Sequence, residues 1–270
     1  MNDGAIETRG LRREFGDGAG KLVAVDGVDL SVRAGQFFGF LGPNGAGKST
    51  TIKMLTGLLA PTAGSISILG RDLSKEPVEV KRQIGVVGED LALYDRLTGA
   101  EQLNFVGRMS GLDRKTAAQR AGELLEFMQL ADRPKTQIAE YSHGMQKKLA
   151  LASAVIHAPR VLFLDEPFEG VDAVASVTLK ALLSRMTERG VTIFLTSHVL
   201  EIVERLCSHV AIIQKGKLVA QGSVEELRAG VEAKRMEEGA GGGEKMTLEE
   251  IFLEVVGGAA GEKRELEWLA

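Results

Sequence analysis

A glycine-rich run that ends in Lys-Ser has the composition needed to hold a phosphate chain. In "GFLGPNGAGKST" the residues Gly42, Pro43, Asn44, Gly45, Ala46, Gly47, Lys48, Ser49 and Thr50 follow one another. The spacing Gly42-x-x-x-x-Gly47-Lys48-Ser49 is the P-loop pattern. Each type has a reason to be there. Glycine adopts dihedrals closed to other residues, so successive backbone N–H groups can turn toward one point. A helix starting at Lys-Ser adds the positive end of its dipole to that point. Lys48 brings a charge for β- and γ-phosphates, and the Ser49 hydroxyl is a ligand for Mg²⁺. A glycine-rich turn without chemistry would not need Lys-Ser at the helix start.

A second set of reactive groups lies at "VLFLDEP", Val161 to Pro167. Four apolar residues predict a strand buried on both faces, which delivers Asp165 and Glu166 to its C-terminal end, where α/β sheets hold ligands. Asp165 suits support of Mg²⁺, directly or through water. Glu166, one residue on, is expected on the opposite side of the strand path, where it can polarise an attacking water; such bases contribute about 10²–10⁴ in rate. Two adjacent carboxylates are also what a solvated strand end carries, and the phosphate loop tips the balance toward chemistry. "TIFLTSH" ends a further strand at His198, 33 residues after Asp165, and the same strand-end argument brings that histidine to the site. In "YSHGMQKKLALASAV", Tyr141 to Val155, Ser142 and Gly144 open a helix. A capped helix end is itself an anion site, so both readings of Ser142 are compatible.

The elements that must position these groups alternate between short apolar runs and longer helical patterns, which reads as α/β. Strands are expected at Leu22–Val32, Phe37–Leu41, Ser65–Leu69, Ile84–Val87, Val161–Leu164, Val191–Leu195 and Val210–Gln214. Residues 98–157 interrupt the alternation with three successive helical patterns. The first has a capping-box spacing at Thr98 and Glu101, the second follows Asp113, and the third follows Ser142. This stretch is expected to be a helical subdomain inserted into the α/β core. The division is then a nucleotide-binding domain over 1–222 and a C-terminal extension over 223–270. In the extension "SVEEL" starts a short helix, "EEGAGGGEK" reads as a flexible linker, and "TLEEIFLEVV" resumes at helical spacing. The last residues, from Gly257, are expected to be poorly ordered.

Composition limits the remaining classes. At 270 residues, 44% hydrophobic and 26% charged, the chain is an ordinary globular protein. A net charge of −4 argues against a surface for non-specific nucleic-acid binding. No apolar run approaches the roughly 20 residues that span a bilayer, and "MNDGAIETRG" lacks the features of a signal peptide. Cys207 is the single cysteine, so a reducing cytoplasm fits, and the residue reads as a small buried hydrophobe.

Together these pieces resemble the nucleotide-binding subunit of an ABC (ATP-binding cassette) transporter, from about Ile6 to Gly222. The resemblance implies a P-loop NTPase of the ABC ATPase type, with an N-terminal antiparallel β region and an inserted helical subdomain. It implies ATP and Mg²⁺ as bound species and ATP hydrolysis as the activity. "YSHGM" is similar to the family's Leu-Ser-Gly-Gly-Gln signature, departing from it at His143 and Met145. By that resemblance Ser142 places a hydroxyl, and Gly144 a backbone N–H, on ATP held by the P-loop of a second subunit. Phe15, in "REFG", stands where the family stacks an aromatic on adenine. "EGVD", Glu169 to Asp172, resembles the D-loop, and His198 resembles the switch histidine that contacts the γ-phosphate. In "VVGED" the carboxylate of Glu89 replaces the family's glutamine; a carboxylate can ligate Mg²⁺ but cannot donate a hydrogen bond as an amide does.

"YSHGM", "DEPFEGVD" and "LEEIFLEVVGG" resemble the ABC-2 type exporters of drugs, lipids, polysaccharides or ions. The implied partners are a second ATP-binding subunit, most simply another copy of this chain, and an integral-membrane permease. The implied location is the inner face of the cell membrane, reached from the cytoplasm through that permease, with no nucleic-acid partner. Two other readings remain open on the residues: a soluble ABC ATPase acting on nucleic acid or ribosomes, and a nucleotide-dependent module that does not hydrolyse.

Overall fold

The computed structural model describes residues 4–16, 18–237 and 246–257. The glycine-rich stretch at 238–245 and the end from 258 to 270, expected above as linker and tail, lie outside the described residues.

In chain order the strands are β1 (Gly4–Phe15), β2 (Leu22–Val28), β3 (Ser31–Arg33), β4 (Phe37–Leu41), β5 (Ala63–Ile68), β6 (Arg71–Asp72), β7 (Ile84–Val87), β8 (Val161–Asp165), β9 (Thr192–Ser197), β10 (His209–Gln214) and β11 (Lys217–Ser223). The helices are α1 (Lys48–Leu55), α2 (Pro77–Lys81), α3 (Gly99–Met109), α4 (Arg114–Phe127), α5 (His143–Val155), α6 (Ala173–Glu188), α7 (Leu200–Leu206), α8 (Val224–Glu237) and α9 (Leu248–Gly257).

Two sheets result. One runs in the order β11-β10-β4-β9-β8-β7, parallel except for β11, which pairs antiparallel with β10. The other is antiparallel, in the order β2-β1-β5-β6 with β3 also on β1. The central parallel strands have no exposed face, so side chains alternate between two cores. Val161 and Phe163 of β8 face a cluster shared with α1 and the antiparallel sheet, while Leu162 and Leu164 face a cluster shared with α3 to α7 and α9. Phe194 of β9 sits among Phe38, Phe40 and Phe163, with ring centroids 5.4–5.7 Å away. Truncating such a buried aromatic costs about 3–5 kcal/mol.

Beyond shifts of one or two residues at strand ends, two elements differ from the sequence reading. The single strand expected at Leu22–Val32 is two strands, because the chain crosses from one half of β1 to the other. β2 pairs with the Leu11–Phe15 half and β3 with the Gly4–Glu7 half. Asp29 covers the crossing by accepting from the Gly10 N–H at 2.6 Å. The helix opened by "SVEEL" is not short but runs to Glu237, a length of 14 residues.

Helix starts are chemically explicit. Thr98 and Glu101 exchange hydrogen bonds in a capping box at α3. Asp113 accepts from Lys115 and Thr116 at α4. Ser223 with Glu226, and Thr247 with Glu250, repeat the box at α8 and α9. Between β7 and β8 lie α3, α4 and α5 without a strand. α5 is pressed onto β7 at Gly85, where a Cβ would collide with the carbonyl oxygen of Ala154.

Candidate active site

The parallel sheet brings the reactive groups together at the C-terminal ends of β4, β7, β8 and β9. After β4 the chain turns through the glycine loop into α1. Gly47 is the residue before the helix, with φ 110° and no capping side chain. A Cβ at Gly47 would lie 2.5 Å from the carbonyl oxygen of Ala24, so only glycine lets the loop close against β2. The N–H groups of Lys48, Ser49 and Thr50 open the helix and have no intrahelical partner, which makes this end an anion site. Lys48 is buried, and its ammonium donates to the Gly42 and Pro43 carbonyls at 2.8 and 3.5 Å. Ala46 closes the back of the loop, donating to Pro43 and accepting from Gly216.

Asp165 ends β8 with 2% of its surface exposed, and its Oδ1 accepts from the Thr196 hydroxyl at 2.6 Å. That hydroxyl also accepts from the Glu166 N–H at 3.1 Å. One threonine of β9 therefore fixes both acidic residues. Glu166 has φ 47°, in the left-handed region that non-glycine residues seldom occupy. Its carboxylate accepts from the His198 N–H at 3.2 Å, lies 3.0 Å from His198 Nδ1, and is 3.8 Å from the Lys48 ammonium. An Nδ1–H that donates to Glu166 leaves Nε2 of His198 for a ligand.

The expectation that Glu166 projects opposite to Asp165 is overturned. Both line one cavity of about 590 Å³, because strand geometry stops at Asp165 and the chain turns at Glu166. The same cavity is lined by Phe15, Asn44, Gly45, Gly47, Lys48, Ser49, Thr50, Glu89 and His198. Phe15 is 38% exposed, with the Arg13 guanidinium 4.6 Å from its ring centroid. Leu22 and Ala24 of β2 and Glu169 also line the cavity. The two β2 residues carry no chemical group, so nothing in the sequence marks them.

Ser49, Asp165 and Glu89 share the cavity. Among the described residues no group of three or more His, Cys, Asp or Glu side chains is placed to hold a metal ion. A hydroxyl with one or two carboxylates fits Mg²⁺ that completes its shell with phosphate oxygens and water.

Ser142 and Gly144 are not in this cavity. Ser142 is exposed and caps α5 by accepting from the Met145 N–H at 3.3 Å. Gly144 is buried against α6, where a Cβ would stand 3.1 Å from Asp172 Oδ2. Asp172 itself caps α6. A further residue escaped the sequence reading. Lys147, in the second turn of α5, is buried and donates to the Glu166 carbonyl oxygen at 3.0 Å. Paired lysines on a helix ordinarily read as a solvated face. Cys207 is buried, and burial pushes its thiol far above the usual range, so it is unreactive.

A glycine loop entering a helix at the end of a parallel strand, with an acid pair on a neighbouring strand end, defines the P-loop nucleotide-binding class. The chain belongs to the ABC transporter family, whose model matches residues 25–169. It is 40% identical over 208 residues to the linearmycin resistance ATP-binding protein LnrL of Bacillus subtilis (strain 168), a match that covers 77% of this chain and 67% of the relative. It is 38% identical over 225 residues to the daunorubicin/doxorubicin resistance ATP-binding protein DrrA of Streptomyces peucetius, covering 83% and 67% respectively. A solved ATP-binding subunit of an ABC transporter superposes with a TM-score of 0.80 at 31% identity, covering 93% of this chain and 99% of that one.

Proposed function

We propose that this protein is the ATP-hydrolysing subunit of an ABC exporter, working as a dimer around two ATP molecules and driving a separate integral-membrane permease. The observation that carries the hydrolytic reading is the Glu166 carboxylate, held between His198 and Lys48 beside an anion-binding helix end. The backbone N–H groups at the start of α1 and the Lys48 ammonium bind the phosphates. Glu166 takes the proton of the attacking water, His198 offers Nε2 to the γ-phosphate, and Phe15 stacks on the base. Ser49 and Asp165, with Glu89, would hold Mg²⁺, whose charge would offset that of the phosphate oxygens when it is bound.

Dimerisation is supported by Ser142, whose exposed position at the start of α5 lies outside the chain's own cavity. A permease is supported by the resemblance to resistance ATP-binding proteins and by the helices themselves: among the described residues none is long and apolar enough to cross a membrane. In this reading the chain sits on the cytoplasmic face of the membrane through its partner. The test is to measure phosphate release from Mg-ATP and to recover the tagged chain from detergent-solubilised membranes. Phosphate release together with a co-purifying integral-membrane protein is expected. No release, or a nucleic acid in place of the membrane protein, overturns the proposal.

A further inference from the structure

We propose that Lys147 is a positioning residue for hydrolysis: from the second turn of α5 it holds the Glu166 peptide in the turn that aims the carboxylate into the cavity. The inference rests on the reading of Glu166 as the base.

Lys147 is 5% exposed, and among the described residues its ammonium makes one hydrogen bond, to the Glu166 carbonyl oxygen at 3.0 Å. A lone buried ammonium is a costly way to fill space, which an apolar side chain of the same length does better. Burial lowers the pKa of Lys147, while the charges of Glu169, Glu166, Asp165 and Glu89 favour its protonated form. The cation thus sits at the back of the acidic group that faces the phosphates.

The hydrogen bonds explain what it does there. Glu166 is held in the left-handed region, which persists only where the surroundings over-determine it. On its N–H side the hold is Thr196 of β9, through hydroxyl and carbonyl; on its carbonyl side it is the Lys147 ammonium at 3.0 Å together with the Glu169 N–H at 3.2 Å, a bond within the turn itself. Without the ammonium the carbonyl keeps only the Glu169 N–H, which ties the turn to itself and not to α5; the residue can then relax toward ordinary dihedrals, and its side chain leaves His198 and Lys48. The same two turns of α5 touch this segment twice more. A Cβ on Gly144 would meet Asp172, and one on Gly170 would stand 3.0 Å from the His143 ring. Lys147 therefore joins the aim of Glu166 to the helix that Ser142 opens.

The experiment compares Lys147→Met, which keeps length without charge or donor, with Lys147→Arg, which keeps both. Turnover and KM are read by phosphate release, affinity with a fluorescent ATP analogue, and the turn by amide hydrogen exchange of peptides covering 164–172. For Lys147→Met, kcat should fall by about tenfold or more as the base loses its aim. KM and affinity should stay within about twofold, and exchange should rise locally at 166–169. Lys147→Arg should recover a large part of both losses. Parental kcat in Lys147→Met, an affinity loss that matches the kcat loss, exchange that rises across α5 and the core, or no recovery by Lys147→Arg each overturns the proposal. Should Lys147→Met not fold, Lys147→Gln takes its place with the same expected signs. If the parent itself releases no phosphate, the reading of Glu166 fails, while the exchange comparison still decides whether Lys147 holds the turn.

Discussion

Helices α1 and α5 both begin at a place suited to an anion, but α1 opens inside a cavity and α5 opens onto the surface. The start of α1 has no capping side chain, because Gly47 has none to offer. Its N–H groups face a cavity already furnished with Lys48, Asp165, Glu166 and His198. At α5, Ser142 satisfies the Met145 N–H within the chain. The P-loop, the Asp165–Glu166 pair and His198 line the cavity at α1, and Ser142 is not among the residues that line it. The first start is complete in one subunit. The second has a cap and an exposed hydroxyl, and in the proposed dimer it is the start that a second copy would complete as a nucleotide site. The difference teaches what to test: on the proposed function an uncapped helix end within a furnished cavity holds the phosphates, and a capped, exposed one is left to reach across.

The largest expected effect bears on the cavity side of this contrast. Glu166→Gln keeps size and hydrogen bonding but removes the base, so phosphate release should fall by about two orders of magnitude or more while ATP still binds. Mg-ATP should then accumulate a dimer visible by size-exclusion chromatography; near-normal turnover removes Glu166 from the mechanism. Lys48→Ala should weaken nucleotide binding by roughly 10–150-fold, the equivalent of one charge-assisted contact of about 1.5–3 kcal/mol. Titration with a labelled nucleotide checks it, and unchanged affinity breaks the claim that α1 is furnished by its own chain.

A linked dimer addresses the two starts together. Lys48→Ala and Ser142→Arg in the same subunit damage both nucleotide sites; placed in different subunits, they fall in one site and spare the other. Occluded nucleotide should vanish in the first arrangement and survive at one site in the second. The reverse pattern, or no difference, ends the assignment of Ser142 to its partner's nucleotide. In the isolated chain, Ser142→Ala should cost about 1 kcal/mol of stability as a lost cap, measured by thermal denaturation, and leave single-subunit ATP affinity unchanged.

The smallest effect concerns a third kind of start. At α3 the chain supplies its own anion: hydrogen bonds from the Thr98 backbone and side chain hold the Glu101 carboxyl below its usual range. A depressed folded value stabilises above the ordinary carboxylate range and loses that contribution as pH falls through it. The midpoint of thermal unfolding should therefore drop on acidification, less so in Glu101→Gln, and an identical drop in that variant discounts the box.

What could be read from the sequence was what has a local cause. The glycine loop, the strand leading to Asp165, and the capping boxes at Thr98 and Ser223 are each a matter of a few neighbouring residues. What was not read has a distant cause. β1, "GAIETRGLRREF", carries charges along most of its length and no clean alternation, because it is a strand for three partners at once, β2, β3 and β5. β11 had a local signal that was passed over. Lys215 and Gly216, both at positive φ, make a two-residue hairpin between Gln214 and Lys217, but the exposed half of that strand hid it. Glu166 was placed on the wrong side because two of the groups that hold its turn, Thr196 and Lys147, are far from it in the chain.

The close seating of Ala154 on Gly85 makes α5 a lever with its fulcrum at the far end. A helix rises about 1.5 Å per residue, so Ser142 stands roughly 18 Å from that fixed point. Lys147 lies between them, five residues from Ser142 and seven from Ala154. In the proposed dimer, a push at Ser142 on a helix pinned at Ala154 would pivot it, and would arrive at the Glu166 carbonyl at about three-fifths of its size. An ångström of displacement at the surface becomes a little over half an ångström behind the base, which is the scale on which a hydrogen bond is made or lost.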